Sequence, residues 1–519
     1  MHNLDPIHIP KNISYNLWAN IFTAIILFCS LPIYSKIMDP NDFGFFCFVF
    51  VLLTILKILD FGFSATLTRF ISKNYNSDFW KIRSNNLIFT CEIILLLFPI
   101  LIFIFFLNYH NLIINYWINF DKANLLKSDL NTYNIILIIF SPILYLKLLS
   151  VLYKGIFYGI GEQPKFNIIR FIFEFLFLFL GIICYIYFAS ILILYIFYLI
   201  ISLFEIILYK IMIKNRINNS AKTSFKKGFF VLLSNKYFFL NIALTNFIWL
   251  ISSNLDKILF SNIINIDLYG SYTIITTLAL LPLLIFVPIF ESAFPNLNNL
   301  YYSNQRDKFE YIYNILVSLC LILFYVSILS YINFGNQFWY YLFDSDLKQI
   351  FASSIFLNFF LGYFFLSFSY IIFTFLKIRG KLKIHSISSI IWCLVLIYTF
   401  YIAIFKNKNP LEYSLYWLNI NMIYFILFSL ICLFYFNAFK HIIKLFKKNL
   451  ISLLIFLLLV IFSYSIDLTF TKILYLDLIY LSLSTLILIL IFMFSINDLR
   501  KITKELLYNK LLKTNRTSQ

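Results

Sequence analysis

Charged residues are scarce in this sequence, and acidic residues are the scarcer kind. Asp, Glu, Lys and Arg together make up 12% of the chain, whereas hydrophobic residues make up 62%. The mean hydropathy is +0.88. A soluble domain has about 25% charged residues with which to cover its surface. The composition therefore excludes a soluble protein and predicts a polytopic membrane protein.

Metal-binding and nucleotide-binding patterns are also missing. The seven cysteines stand singly in apolar segments without a CxxC pair, and the five histidines have no metal-ligand spacing. We therefore expect no disulfide framework, no metal and no cofactor. The sequence has neither a GxGxxG nor a Walker A pattern, so it gives no support for ATP-driven transport by this chain alone.

Long apolar runs take up most of the sequence. A helix needs about 20 apolar residues to cross a bilayer core, and the runs lack the period-2 alternation of a membrane barrel. The sequence therefore predicts an all-α polytopic membrane protein with about 14 transmembrane helices. The predicted spans are 14–35, 43–61, 85–107, 134–158, 167–189, 190–212, 237–260, 269–291, 310–332, 351–376, 386–405, 414–438, 450–468 and 473–495.

The net charge of +18 reports on topology rather than on nucleic acid. Roughly three quarters of the 41 Lys and Arg residues lie in alternate connections, and basic connections resist translocation. Both termini are therefore predicted to be cytoplasmic, with the first apolar run retained as a span rather than cleaved as a signal peptide. Some attraction to anionic lipid headgroups is expected, and no nucleic acid partner.

Two patterns recur at similar offsets along the chain. Asp42-Phe43-Gly44 aligns with the segment 267–270, and Lys165 aligns with Lys383, at offsets of roughly 220 residues. Parallel repeats of this kind are typical of two lobes that enclose a central cavity. The repeat predicts two six-helix lobes related by a pseudo-two-fold axis, followed by two C-terminal helices. The predicted parts are an N-terminal lobe (1–213), a basic cytoplasmic linker (214–236), a C-terminal lobe (237–438), two additional helices (439–495) and a basic tail (496–519).

Five segments in the same order carry a resemblance to a known family: LPIYSKIMDPNDFGFFCFVF, LDFGFSATLTRFISK, KGIFYGIGEQPKFNIIR, SSNLDKILFSNIINIDLYGSYTI and PIFESAFPNL. They are loose, hydrophobic-rich patterns that extend over both predicted lobes. Together they resemble the polysaccharide biosynthesis and export family of the multidrug, oligosaccharidyl-lipid and polysaccharide exporter superfamily. Within that family, the resemblance is strongest to bacterial flippases for O-antigen and other lipid-linked oligosaccharides.

The resemblance implies a two-lobe transporter and not an enzyme. Its substrate would be an undecaprenyl-diphosphate-linked glycan, moved from the inner to the outer leaflet of the bacterial cytoplasmic membrane by alternating access. The implied partners are the lipid-linked oligosaccharide and membrane lipids, with other polysaccharide assembly proteins left open. Neither the sequence nor the resemblance identifies the glycan, the energy source or the oligomeric state.

Basic residues inside the spans are the first candidates for function, because a mid-span charge costs about 2.5 to 3.5 kcal/mol on insertion scales. Lys147 and Lys154 lie two helical turns apart with Ser150 between them, which predicts a polar stripe on one helix face. Lysine suits a phosphate that must be released as well as bound. Snorkelling to the headgroups is the alternative for Lys154 and Lys57. The predicted substrate-binding charges are Lys147, Lys154, Arg170, Lys57 and Lys257.

Acidic residues inside the spans are candidates for ion coupling or charge pairing: Glu174, Glu92, Asp256 and Asp60. Arg170 and Glu174 have the i,i+4 spacing of an intrahelical pair. Capping of a loop is the alternative for Asp60, and a local salt bridge with Lys257 is the alternative for Asp256. Glu205 and Glu291 approach the inner membrane face, where solvation is expected.

Gly155 and Gly159 have the small-residue spacing that permits close helix contact.

Two other functions stay open at this point. A multidrug or small-solute exporter would share the lobe architecture, although cationic drugs favour an acidic cavity rather than lysines. A membrane polymerase or glycosyltransferase that acts on the outer face would favour sizeable outer loops bearing arginine. The longest predicted outer connections, 108–133 and 333–350, contain no arginine.

Overall fold

A computed structural model describes Phe22, Ile26 and residues 29–436, except for 59, 75–79, 121–126, 218–222, 304, 344–345, 380–381 and 403–408. Within these ranges the regular structure is helical, with no strand, as the apolar runs predict. Residues 29–37 are helical. The further helices are α1 (Pro40–Ile58), α2 (Phe63–Asn74), α3 (Trp80–Leu112), α4 (Lys127–Ile160), α5 (Gln163–Phe175), α6 (Gly181–Phe188), α7 (Ile191–Ile217), α8 (Phe225–Ser234), α9 (Lys236–Ile263), α10 (Ile266–Ala279), α11 (Leu281–Tyr302), α12 (Arg306–Leu342), α13 (Asp346–Ile378), α14 (Leu382–Ile402) and α15 (Pro410–Phe436).

Ten helical segments of the described part are long and apolar enough to cross a membrane. They coincide with predicted spans 2 to 6 and 8 to 12. The seventh predicted span falls in α9, a continuous helix that is not among the ten. The predicted spans 450–468 and 473–495 lie outside the described residues, as do the basic tail and most of the first span.

The eighth predicted span is two helices rather than one. Helix α10 ends at Ala279 and α11 begins at Leu281, with a turn at Leu280. Pro282 has no backbone N–H to continue the helical hydrogen-bond ladder, so the interruption follows from the sequence. Another departure from α-helix is a π-helical turn, Leu176–Leu180, which joins α5 to α6 within the fifth predicted span.

The described residues fall into two compact units. The first is drawn from Met1–Leu278 and Ser389–Ser414, and the second from Ala279–Ser388 and Leu415–Gln519. A core cluster of the first unit brings together buried side chains of α2, α3, α4 and α7, among them Leu67, Leu87, Leu152 and Tyr209. In the second unit, Leu297, Phe309 and Ile378 form a core cluster between α11, α12 and α13. The two duplicated lobes, with a boundary near residue 213, remain a proposal.

Helix α2 packs closely on α4 because two glycines leave room for it. A Cβ atom on Gly155 would collide with the backbone of Ser64, and one on Gly159 would lie 2.8 Å from Cβ of Ile71. Thr68 Oγ1 donates a hydrogen bond to the carbonyl of Gly155 at 2.9 Å, so a polar bond reinforces the contact. The predicted role of this glycine pair in close helix packing is confirmed.

A second close crossing joins the two segments that the repeat aligned. The Cβ position of Gly270 on α10 lies 3.3 Å from Cα of Gly44 on α1, and a Cβ on Gly44 would collide with the carbonyl of Ile266. The two glycines therefore let α1 and α10 approach closely at this point.

Candidate functional site

Lys147 is buried in the first unit and binds a glutamate on a neighbouring helix. Its Nζ lies 2.7 Å from Oε2 of Glu205 on α7, and only 6% and 3% of these residues are exposed. Ser150, one turn along α4, donates to Oε1 of the same carboxylate at 2.8 Å. The ring of Tyr198 adds a cation–π contact, with its centroid 4.9 Å from Nζ. Glu205 is therefore paired and buried, and the expectation that it is solvated is wrong.

Helix α7 positions these partners through its own periodicity. Tyr198 and Glu205 are seven residues apart, which is about two helical turns, so both face α4. The opposite side of α7 carries exposed apolar residues such as Phe204 and Ile207. Glu205 lies on the protein-facing side because burial with Lys147 satisfies both charges, whereas exposure to hydrocarbon would satisfy neither.

Arg170 and Glu174 form the intrahelical pair that their spacing predicts. Nε of Arg170 lies 3.0 Å from Oε1 of Glu174, and their side chains are 26% and 30% exposed. This pair is therefore far more accessible than the pair between Lys147 and Glu205. It lies in the turns of α5 that precede the π-helical turn, a kind of distortion that is frequent at functional sites.

Lys57, in the last turn of α1, brings a third cation into the same region. Its electrostatic interactions are with both acids and both bases of the two pairs. We call this group the charge cluster, and it consists of Lys57, Lys147, Arg170, Glu174 and Glu205. When all five groups are ionised, the charge cluster has one positive charge in excess.

The excess charge decides what the cluster can bind. Each acid compensates one base, which limits the cost of removing the charges from water. The remaining positive charge has no acid to balance it within the cluster, and Coulomb interactions are strong where apolar walls exclude water. The arrangement is therefore suited to an anion that can approach the exposed side of Arg170 and Glu174.

Other predicted site residues have different partners. Lys154 is half-buried, with Nζ 5.3 Å from the ring centroid of Tyr158. Glu92 accepts a hydrogen bond from the hydroxyl of Tyr153 at 2.5 Å. Neither contact involves the charge cluster, so the structure divides the predicted stripe of α4: Lys147 and Ser150 bind Glu205, whereas Lys154 contacts an aromatic ring.

Asp60 caps helix α2. Its carboxylate accepts hydrogen bonds from the backbone N–H of Gly62 at 2.9 Å and of Ser64 at 3.3 Å, and also from the Ser64 hydroxyl. Gly62 has φ +81°, a conformation that side chains rarely adopt. Asn246 of α9 donates to the same carboxylate at 3.3 Å. These contacts account for Asp60 as a capping residue that also ties α9 to α2.

Asp256 and Lys257 are both buried in the C-terminal part of α9. Tyr272 of α10 donates a hydrogen bond to Oδ2 of Asp256 at 2.7 Å. The ion pairs found at 4.0 Å or less in the described ranges join Lys147 to Glu205, Lys165 and Arg216 to Glu162, and Arg170 to Glu174. Asp256 and Lys257 are thus not joined by an ion pair, although they interact electrostatically.

In the second unit, Glu291 is exposed, as expected, and accepts a hydrogen bond from Tyr370 at 3.1 Å. Among the residues that the structure describes, no group of three or more His, Cys, Asp or Glu side chains could hold a metal ion.

Comparison with known proteins identifies a family and a fold. The family described as polysaccharide biosynthesis protein matches residues 9–301. No curated protein sequence matches the chain.

Several solved structures share the fold. The lipid II flippase MurJ in an inward closed conformation has a TM-score of 0.66 at 18% identity, covering 95% of this chain and 98% of that chain. An inward-facing multidrug resistance MATE family transporter of the MOP superfamily has a TM-score of 0.60 at 13% identity, covering 83% and 96%. A MOP superfamily transporter from Pyrococcus furiosus Vc1 has a TM-score of 0.55 at 14% identity, covering 83% and 97%. At these identities the likeness shows the fold, and the predicted all-α polytopic class is confirmed.

Proposed function

We propose that this chain, which belongs to the polysaccharide biosynthesis protein family, is a transporter for an undecaprenyl-diphosphate-linked oligosaccharide. The substrate moves from the inner to the outer leaflet of the bacterial cytoplasmic membrane by alternating access, and both termini of the protein are cytoplasmic. The fold shared with a lipid II flippase supports a lipid-linked substrate. The glycan itself is left open.

The charge cluster is the observation that carries this proposal. A diphosphate cannot cross a layer of low dielectric unless cations compensate its charge. The cluster draws three cations from α1, α4 and α5 into one region of the first unit, with an excess of one positive charge. Such a site attracts the diphosphate of the substrate without depending on the identity of the sugar.

Arg170 and Lys147 have different parts in this proposal. Arg170 is partly exposed, and its planar guanidinium can bind two phosphate oxygens at once. Lys147 lies deeper, and its ammonium group has three donors, of which Glu205 accepts one. The diphosphate competes with Glu205 for Lys147 on binding, and the pair forms again after release. The empty site therefore retains no uncompensated lysine at that depth.

An exporter of cationic drugs or small solutes is the main alternative, since MATE transporters share the fold. The sign of the charge cluster disfavours it, because an excess of positive charge repels a cation. An oligosaccharide polymerase or glycosyltransferase is a weaker alternative, since the fold neighbours are transporters.

Gene deletion in the native host tests the proposal. Strains complemented with wild type, Lys147→Ala or Lys147→Arg at matched membrane expression are scored for surface glycan and for lipid-linked oligosaccharide retained inside the cell. We expect the deletion strain and the Lys147→Ala strain to lose surface glycan and accumulate the lipid-linked intermediate, while Lys147→Arg keeps partial activity. Lys210→Ala is the matched control, because Lys210 lies on α7 but is exposed.

The outcomes separate the function from the site. A deletion strain with normal surface glycan, no intermediate and increased drug sensitivity would favour the exporter and overturn the proposal. Full activity of Lys147→Ala, in a strain background where deletion abolishes surface glycan, would leave the flippase standing and exclude the role of Lys147.

A further inference from the structure

Helix α8 is fixed against the inner end of α3 by polar bonds and a glycine. The backbone N–H of Ser224 donates to Oδ1 of Asn86 at 2.8 Å, and Thr90 Oγ1 donates to the carbonyl of Phe225 at 3.1 Å. A Cβ atom on Gly228 would collide with Asn86 and Thr90, so the backbone of α8 lies directly on α3. This docking defines which face of α8 is turned outward.

The outward face of α8 is apolar and largely aromatic. Phe225, Phe229 and Leu233 are exposed and recur every four residues, so they form one stripe, and Phe230 beside them is 74% exposed. The rings of Phe225 and Phe229 stack with their centroids 5.9 Å apart. Water is an unfavourable environment for a contiguous apolar stripe of this kind, and such patches mark a binding or membrane surface.

Positive charge surrounds the stripe. Lys226 and Lys227 are exposed on α8 itself, and α8 contains no acidic residue. Arg83 is exposed on α3, one turn before Asn86, which places it on the side of α3 that faces α8. An apolar stripe edged by lysines is typical of a helix that lies in the membrane interface and attracts anionic lipid.

We propose that α8 and the inner end of α3 form a binding site for an anionic phospholipid of the inner leaflet. The acyl chains lie against the stripe of Phe225, Phe229, Phe230 and Leu233, and the headgroup phosphate lies near Lys226, Lys227 and Arg83. This site is distinct from the charge cluster and does not depend on the proposed transport function. Because α8 is anchored to α3 and leads directly into α9, the bound lipid holds α8 at the interface.

Binding of phosphatidylglycerol and phosphatidylcholine to the full chain in detergent, measured by native mass spectrometry, tests the site. We expect wild type to retain phosphatidylglycerol more strongly than phosphatidylcholine. The double variant Lys226→Gln/Lys227→Gln should bind phosphatidylglycerol about 25-fold more weakly, at about fivefold per lysine, with phosphatidylcholine binding unchanged. Phe230→Ser should weaken binding of both lipids, because it removes an apolar contact.

The control variant is Lys308→Gln/Lys383→Gln. It removes two positive charges as well, at exposed lysines in the first turns of α12 and α14 in the second unit. It should leave phosphatidylglycerol binding unchanged, and each variant is checked for an unchanged melting temperature in phosphatidylcholine nanodiscs. Equal binding of the two lipids to wild type would overturn the proposal, as would an unaffected Lys226→Gln/Lys227→Gln variant. Displacement of phosphatidylglycerol by millimolar glycerol phosphate would show instead that the lysines bind a soluble phosphate, and would overturn the proposal. A wild-type dimer that dissociates on the Phe230→Ser substitution would overturn it as well, because the stripe would then bind a second copy of the chain.

Discussion

Lys147 and Glu205 join α4 to α7 through a distance of 2.7 Å between Nζ and Oε2, at a depth where both residues are almost completely buried. The pair satisfies two charges that neither helix could bury alone. It also sets the resting charge of the cluster, because Lys147 is compensated by Glu205 and Arg170 by Glu174. Lys57 then contributes the excess positive charge.

Removing one partner of this pair should destabilise the protein strongly. Glu205→Ala leaves the Lys147 ammonium buried without its carboxylate, and we expect a loss of about 3 to 5 kcal/mol in the free energy of unfolding. The double variant Lys147→Met/Glu205→Leu replaces both charges by apolar groups and should recover most of the lost free energy of unfolding. It should not transport the substrate, because the charge of Lys147 is gone. Denaturant unfolding in nanodiscs measures both, and a Glu205→Ala variant as stable as wild type would contradict the buried pair.

The ion pairs at Glu162 provide a contrast at the surface. Glu162 lies 3.0 Å from Lys165 and 2.7 Å from Arg216, but about half of the Lys165 and Arg216 side chains is exposed. We expect Glu162→Ala to cost less than about 1 kcal/mol, because solvent screens exposed pairs. The small effect should decrease further when the unfolding experiment is repeated in high salt. A cost comparable with that of Glu205→Ala would mean that burial does not decide the strength of these pairs.

The contact between α2 and α4 predicts a steric effect at Gly155. Gly155→Leu places a side chain where the backbone of Ser64 lies, and overpacking of this kind costs about 1 to 3 kcal/mol or more. Gly161→Asn is the matched control, since Gly161 has φ +87° and open space around its Cβ position, and asparagine tolerates that conformation. Melting temperatures of the two variants in the same lipid should differ, with Gly155→Leu the lower. Equal melting temperatures would exclude the close crossing.

The cap at Asp60 predicts a local effect on α2. Asp60→Ala removes the acceptor for the first turn of α2 and should cost about 0.5 to 2 kcal/mol. Asn246→Ala removes only the bond from α9 and should leave the first turn protected. Hydrogen–deuterium exchange of residues 62–66 distinguishes these cases. Fast exchange in Asn246→Ala alone would show that the link to α9, rather than the cap, orders this turn.

Local spacing predicted some of these contacts from the sequence. The i,i+4 relation gave the pair of Arg170 and Glu174, and the small-residue spacing gave the close approach at Gly155 and Gly159. Both depend on the geometry of a single helix, which the sequence encodes directly. Apolar runs of sufficient length likewise gave most of the spans in the described part of the chain.

Contacts between distant helices could not be predicted in the same way. Glu205 lies 58 residues from Lys147 in the sequence, and nothing in a single helix indicates which lysine it binds. Its distance from the centre of the span suggested solvation, whereas the packing of α7 on α4 buries it. The seven-residue spacing of Tyr198 and Glu205 was the available signal, since it places an aromatic ring and an acid on one face of an otherwise apolar helix.

Lys57 provides a prediction that separates stability from function. Lys147 and Arg170 repel it and Glu174 and Glu205 attract it, so Lys57 adds the unbalanced charge to the cluster without completing a pair within it. Replacing Lys57 with Met retains the apolar stem and removes the charge, and we expect the free energy of unfolding to stay within about 0.5 kcal/mol of wild type or to increase. Export of the lipid-linked oligosaccharide should nevertheless decrease several-fold, because the cluster no longer has an excess positive charge for the diphosphate. Lys57→Arg, which keeps the charge, should retain export. A strongly destabilised Lys57→Met variant with normal export per folded molecule would contradict this prediction. Lys57 would then stabilise the fold, and a different positively charged residue would bind the diphosphate.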